Sequence, residues 1–211
     1  MRHGRLLGIA VLALAAPSAA HAAAVTISDP CPRLEGQNPV VAVDASGFAP
    51  GEQIAFSYDN FATTALTAPA GNTGELATGV PGPALPRNRH FGTFTLFAKG
   101  LTSGTAATSA AFPVVTPWVS LPSGGRPTTR VLYRVYGFPN GRPVYAHYTL
   151  HGKQRAVKRL GTAAAPCGTL KKRLPLLPAK FHTGRWVYHF NNSKRNRNAL
   201  PLFEVVYRFG L

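Results

Sequence analysis

Through much of this chain the large apolar residues fall on alternate positions. Ile54, Phe56 and Tyr58 alternate with Gln53, Ala55 and Ser57, and Val131, Tyr133 and Val135 share one face. Val144, Ala146, Tyr148 and Leu150 share another, opposite Tyr145, His147, Thr149 and His151. A period of two marks a strand with one face buried. The same reading predicts strands at Val40–Val43, at Glu75–Val80, through Phe94, Leu96 and Ala98, and over Thr105–Val115. It predicts two more through Trp186, Tyr188 and Phe190 and through Val205, Tyr207 and Phe209, joined by a polar, basic hairpin loop at Asn191–Asn198. Turn chemistry separates the strands at Gly47-Phe48-Ala49-Pro50-Gly51 and at Gly71-Asn72-Thr73-Gly74. Gly permits positive φ there, and Pro presets its own φ. No segment carries a sustained apolar stripe at helical spacing. Short strands with turns at close intervals predict an all-β chain of antiparallel sandwiches.

The pattern occurs twice. Leu85–Leu96 and Leu177–Tyr188 fit one frame: Leu-Pro, three residues, His, one residue, Gly, one residue, aromatic, one residue, large apolar. Upstream, Gly47–Gly51 followed by Ile54 is matched by Gly137-Phe138-Pro139-Asn140-Gly141 followed by Val144. The pairs keep their order and nearly their offset, with Thr116-Pro117 as the joint and Pro122–Gly125 close behind. Two domains are expected, residues 25–115 and 116–211. At roughly 90 residues, each is large enough for its own core.

Gly47–Glu52 after a strand, followed by Gly-x-Phe-x-Leu at Gly92–Leu96, resembles the immunoglobulin-like, fibronectin-type domains of secreted bacterial surface proteins. The likeness covers the first domain well. It covers the second more loosely, through Gly137–Gly141 and Gly184-Arg185-Trp186-Val187-Tyr188. The resemblance implies two tandem immunoglobulin-like β-sandwiches. Such motifs specify a scaffold, so it supplies no catalytic residue.

Residues 1–22 read as a signal peptide: Arg2 and Arg5, an apolar run from Leu6 to Ala16, then Ala20-His21-Ala22 as a small-x-small cleavage site. A membrane span needs about 20 apolar residues, and this run is shorter. Asp29-Pro30 before Cys31 argues against a lipid anchor, and Val205–Phe209 offers no apolar tail. The expected product is secreted or loosely associated with a cell surface, without a transmembrane segment in the mature chain. Cys31 and Cys167 then meet a compartment in which a disulfide persists. They fall in different domains at non-equivalent positions. Either they bridge the domains, or each is a small buried or unpaired residue.

Charge alters the picture most. From Ala24 to Val115 the chain holds four Lys and Arg against six Asp and Glu, a balance of −2. From Thr116 onward it holds seventeen against the single acid Glu204, a balance of +16. Such asymmetry points to a polyanionic partner. Three clusters are the candidate binding residues: Lys153, Arg155, Lys158 and Arg159; Lys171, Lys172 and Arg173; Lys194, Arg195 and Arg197. In a sandwich these fall at strand edges, an edge turn and a hairpin tip. Acidic polysaccharide, an anionic cell-wall polymer and an anionic membrane surface are the expected partners. The competing reading is a structural spacer whose charge only solvates it. Nucleic acid is disfavoured by export, although Tyr133, Tyr136, Tyr145 and Trp186 offer rings for stacking.

Catalytic and metal chemistry find little support, and no cofactor is expected. A lone carboxylate in the second domain cannot furnish a glycosidase pair. No Gly-x-Ser-x-Gly elbow or phosphate-cradling Gly loop is present. Asp29, Asp44 and Asp59 sit in turn-like surroundings, where Asp caps and turns. His90 and His182 share one slot of the repeat and are expected to bond nearby backbone in turns. His147 and His151, four residues apart on one strand face, are about 13 Å apart, too far for one metal ion. Asn191-Asn192-Ser193 matches a glycosylation triplet.

Overall fold

A computed structural model describes residues 22–122, 126–177, 182–199 and 203–209. The expected leader, residues 1–22, lies outside them apart from Ala22, as does the 178–181 part of the repeated frame. The described residues form strands and no helix. In chain order the first nine are β1 (Ala24–Ile27), β2 (Val40–Ser46), β3 (Gln53–Ser57), β4 (Leu66–Pro69), β5 (Leu76–Pro81), β6 (Phe91–Phe94), β7 (Phe97–Gly100), β8 (Ala106–Thr108) and β9 (Phe112–Val115). The other seven are β10 (Trp118–Ser120), β11 (Arg130–Tyr136), β12 (Pro143–Leu150), β13 (Lys153–Thr162), β14 (Leu170–Pro175), β15 (Gly184–Asn191) and β16 (Phe203–Phe209).

All strand pairings are antiparallel, and β1–β9 and β10–β16 share no sheet. In the first sandwich, β1-β2-β5 packs on β4-β3-β7-β8. The pair β6-β9 prolongs the β7–β8 hairpin beyond an irregularity at Leu96, whose N–H donates to Ser109 Oγ at 2.9 Å. Taking β6 with β7 and β8 with β9, each is one interrupted strand. In the second sandwich, β10-β11-β14 packs on β13-β12-β15-β16. The two strand orders then coincide: first-second-fifth against fourth-third-sixth-seventh.

The cores show the same duplication. Ile54, Phe56 and Tyr58 stand where Val144, Ala146 and Tyr148 stand, and Phe94, Leu96 and Ala98 where Trp186, Tyr188 and Phe190 stand. Phe56 is opposite Ala98 in one copy, and Ala146 is opposite Phe190 in the other. The large and small partners have exchanged strands, which keeps the volume of the layer and hence its packing density. Edge-to-face pairs occur in both copies between non-equivalent partners, Tyr58 with Phe94 at 6.1 Å and Tyr148 with Tyr188 at 5.0 Å.

The repeated turn is duplicated to the hydrogen bond. Phe48 N–H donates to Gly74 O at 3.2 Å, and Phe138 N–H donates to Gly168 O at 3.2 Å. A Cβ on either Gly74 or Gly168 would overlap the facing phenylalanine carbonyl, and both have positive φ, 77° and 58°. Only glycine fits. Gly168 is the counterpart of Gly74, an equivalence hidden by the longer connection in the second copy.

Several strands were not legible from hydrophobic alternation. β1, β4 and β10 are only three or four residues long. β13 and β14 carry the first two basic clusters, so apolar periodicity is masked on them. Both are outer strands of their sheets. Thr105–Val115 is broken into β8 and β9, and the strand through Phe94 and Ala98 into β6 and β7.

The sandwiches are joined by more than the linker. Cys31 and Cys167 form a disulfide with Cα atoms 5.3 Å apart, packed with Val115 and flanked by Tyr136. Segment 32–34 runs beside β9, with Leu34 N–H donating to Val115 O at 2.8 Å and Val115 N–H to Pro32 O at 3.1 Å. On the second sandwich, Pro117 lies so close to Gly137 that a Cβ there would stand 2.8 Å from Pro117 Cα.

Candidate functional site

The basic residues are distributed by strand register. On β13, Lys153, Arg155 and Arg159 are exposed and Lys158 is half-buried. Two bulges shape this edge, because Arg155 and Leu160 have no partner on β12 while their neighbours do. Bulges and cations on an outer strand keep it from pairing with another chain. On β14, Lys171, Lys172 and Arg173 are all exposed. Lys171 and Arg173 lie on the outer face. Lys172 has the parity of the buried face, opposite Tyr133, yet stays exposed at the edge.

β13 and β14 are successive strands that meet near their connecting turn, where Gly161 abuts Leu170. The first two clusters therefore line one open side of the sandwich. The third lies in the loop after β15. Lys194 and Arg195 are exposed, whereas Arg197 is half-buried and donates through Nη1 to Gly152 O at 2.7 Å. That contact ties the loop to the turn just before Lys153, so the third cluster adjoins the first.

Asn191 anchors this loop. It is wholly buried, its amide donates to Asn196 O at 2.9 Å and Arg197 O at 2.8 Å, and its Oδ1 accepts from Ser193 N–H at 3.0 Å. A side chain so enclosed presents no amide to a glycosyl transferase in the folded chain. The loop explains why His147 is buried although it occupies the outer face of its sheet. His147 Nε2 lies 2.8 Å from Ser193 O and 3.2 Å from Asn191 Oδ1, and Nδ1 lies 3.0 Å from Gln154 Oε1.

The other histidines separate by environment. His151 turns with φ 50° and is exposed, while His189 sits directly opposite His147. Burial pushes His189 below the ordinary histidine value; Glu204, 3.5 Å away, opposes this, and Arg197 and His147 add to it. Among the described residues no three His, Cys, Asp or Glu side chains stand close enough to hold a metal ion.

His90 departs from the expected backbone-bonding turn role. Its Nδ1 is 3.2 Å from Thr116 Oγ1, and its ring stacks on Trp118 at 3.9 Å and 5°. Burial lowers its pKa. His182 is exposed and offers its carbonyl, which accepts from Trp186 Nε1 at 2.9 Å. The shared slot of the repeat thus holds different contacts in the two copies, because only His90 faces the other sandwich. Of the rings named for stacking, Tyr133 and Trp186 are wholly buried, and Tyr136 and Tyr145 are half-buried.

The residues that sequence clustering missed are Arg130 and Arg134. They are exposed on β11, alternating with Val131, Tyr133 and Val135. Arg134 lies directly opposite Lys171, and Leu132 opposite Arg173, so the outer face of β10-β11-β14 carries a patch of Arg130, Arg134, Lys171 and Arg173. The period-two pattern already places both arginines outward; a search for runs of adjacent cations passes over them. Among the described residues the ion pairs are Arg33–Glu35 and His189–Glu204, so no cation of this patch meets a carboxylate.

The sequence matches no protein-family model and no curated protein. Among solved structures, the human OSCAR ligand-binding domain is 10% identical, with 91% of this chain and 100% of that chain covered at a TM-score of 0.37. The D0–D1 domain of intimin is 15% identical, covering 88% and 96% at 0.33. A tetra-tandem repeat from the extending region of a large adhesion protein is 18% identical, covering 90% and 49% at 0.32, so the chain spans about half of that structure. Likenesses this distant carry nothing about activity, and the fold rests on the strand order itself. The chain is a tandem pair of immunoglobulin-like β-sandwiches.

Proposed function

We propose that this is an exported, non-catalytic module that holds an anionic polymer against its second sandwich. The observation that supports this reading is the direct opposition of Arg134 and Lys171, with Arg130 and Arg173 on the same face and no carboxylate paired to any of them. Like charges opposite one another on a strand pair are destabilising. A multivalent anion lying across β11 and β14 would remove that repulsion. Edge protection accounts for cations on β13, an outer strand, but not for Arg134 on the central strand of its sheet. The mode of binding is many weak contacts, steered by charge and sensitive to salt.

The test uses the whole exported chain, titrated with polygalacturonate, a teichoic acid, heparin and anionic vesicles at low salt and at about 0.15 M salt. Retained binding of one polymer at the higher salt, lost in an Arg134→Gln, Lys171→Gln double variant, is the expected result. Equal binding to every anion that vanishes at the higher salt would favour the spacer reading instead.

A further inference from the structure

Between the two sandwiches lies a cleft of about 660 Å³, open to solvent. One wall comes from the stretch before and into β6, with Arg89, His90 and Phe91; the other is the outer face of β10 and β11, with Trp118, Arg134 and Tyr136. We propose that this cleft binds a uronate residue of an acidic polysaccharide, its ring against the aromatic groups and its carboxylate held by Arg89 and Arg134. This rests on the polyanion reading and deepens it, because Arg134 belongs to both the cleft and the cationic patch.

The cleft is built rather than incidental. A turn at Pro86–Arg89 is closed by Arg89 N–H donating to Pro86 O at 2.9 Å, with Asn88 at φ 64°. This sets Arg89 at the rim and leads into His90, which stacks on Trp118. Trp118 is also met edge-on by Phe203 at 4.8 Å, and it lies directly opposite Tyr136. Tyr136 packs on the disulfide cluster of Cys31 and Cys167. The two walls are thus fixed to each other on both sides of the linker, which lowers the ordering cost of binding.

The chemistry of the lining favours a carboxylated sugar. Both charged groups are guanidiniums, whose planar forks match a carboxylate, and no acidic residue lines the cleft. Asn88 and Ser120 add neutral groups able to exchange hydrogen bonds with hydroxyls. Phe91 is 44% exposed, an apolar surface beside these polar groups. The size falls within the range of small-ligand clefts.

Tryptophan emission provides the readout. Trp118 lines the cleft, and Trp186, the other tryptophan, is wholly buried in the second core. The full exported chain, disulfide intact, would be titrated with trigalacturonate, with a neutral trisaccharide and an oligothymidylate as comparisons. The variants are Arg89→Gln, Arg134→Gln, Phe91→Ala and, as a control on the opposite sheet outside the cleft, Arg185→Gln/Arg208→Gln. The expected result is a saturable emission change with trigalacturonate alone. Arg89→Gln and Arg134→Gln should each weaken it about tenfold or more, and the β15–β16 control should leave it unchanged. Arg89, Phe91 and Arg134 are exposed, so these variants are expected to fold. Equal affinity across all variants, or tighter binding of the oligothymidylate, overturns the proposal. If polygalacturonate binds while the trimer does not, the cleft assignment fails and the basic-surface reading stands. If neither binds, both fail.

Discussion

Four glycine-to-alanine variants test whether the two copies share a physical design. Gly51, Gly74, Gly141 and Gly168 all have positive φ, between 58° and 77°. An L-residue in that region costs about 1 kcal/mol. Beyond that the sites differ. A Cβ at Gly51 or Gly141 would meet no heavy atom within 4 Å, whereas at Gly74 or Gly168 it would overlap the carbonyl of Phe48 or Phe138. Relief requires moving backbone that carries Phe138 N–H to Gly168 O at 3.2 Å and Gly168 N–H to Asn140 Oδ1 at 2.7 Å. Overpacking costs about 1–3 kcal/mol, and each lost bond about 1 kcal/mol. Gly168→Ala should therefore lose about 4–6 kcal/mol and Gly141→Ala about 1 kcal/mol. Against a typical stability of about 5–15 kcal/mol the first is severe. Calorimetry should show a Tm lowered by about 5 °C in Gly141→Ala and by about 20–30 °C in Gly168→Ala. Gly51→Ala and Gly74→Ala should repeat the contrast in the first sandwich. Losses at Gly141 and Gly168 within about 1 kcal/mol of each other would refute the close-approach argument, since both share the φ cost.

The remaining expectations concern packing, the loop and pH. Phe56→Ala should cost about 3–5 kcal/mol by opening a cavity; adding Ala98→Phe, the arrangement of the second copy, should recover a substantial part in chemical unfolding. Asn191→Ala removes three bonds that fix the loop after β15, and faster amide exchange over residues 192–198 should report it, with a loss of about 2–3 kcal/mol. Glu52 accepts from Ala49 N–H at 2.6 Å, Ser103 N–H at 3.1 Å and Ser103 Oγ at 2.9 Å, and these donors lower its pKa. Its folded pKa lies below the unfolded value near 4.5, so its stabilisation is present above that pH and lost as pH falls through the folded value. Glu52→Gln should lower Tm at neutral pH and flatten the dependence of Tm on pH in the acid range.

The sequence revealed the elements that carry large apolar residues at alternate positions and hid those that do not. β3, β11, β12 and β15 each bury alternate large residues, so the period of two was plain. β13 and β14 are outer strands whose exposed positions hold cations, and an apolar period cannot register there. The repeat was visible through Gly47 and Gly137 but incomplete without Gly168, whose role depends on a carbonyl thirty residues earlier in sequence and touching in space. His90 looked like its counterpart His182. Its stacking on Trp118 depends on how the two sandwiches meet, which no local pattern encodes. Arg134 gained its meaning only from the strand opposite, where Lys171 stands.

The charge asymmetry also follows from how each copy closes its turns. In the first sandwich carboxylates do much of this work. Asp29 accepts from Cys31 N–H at 2.9 Å and Asp59 from Thr63 N–H at 2.9 Å, while Glu52 clamps Ala49 and Ser103. The second sandwich uses neutral amides for comparable bonds. Asn140 accepts from Gly168 N–H at 2.7 Å and donates to Pro166 O at 2.7 Å, and Asn191 organises its loop in the same manner. At the position matching Glu52, the residue after the turn glycine, the second copy carries exposed Arg142. Its turns therefore close without a carboxylate, and Glu204 is the only acid left to face seventeen cations. The second copy reaches the same strand order without these carboxylates, and the first reaches it without the cation clusters. Charge on the second sandwich is thus separable from architecture, and neutralising Arg134 and Lys171 can report on binding without dismantling what presents them.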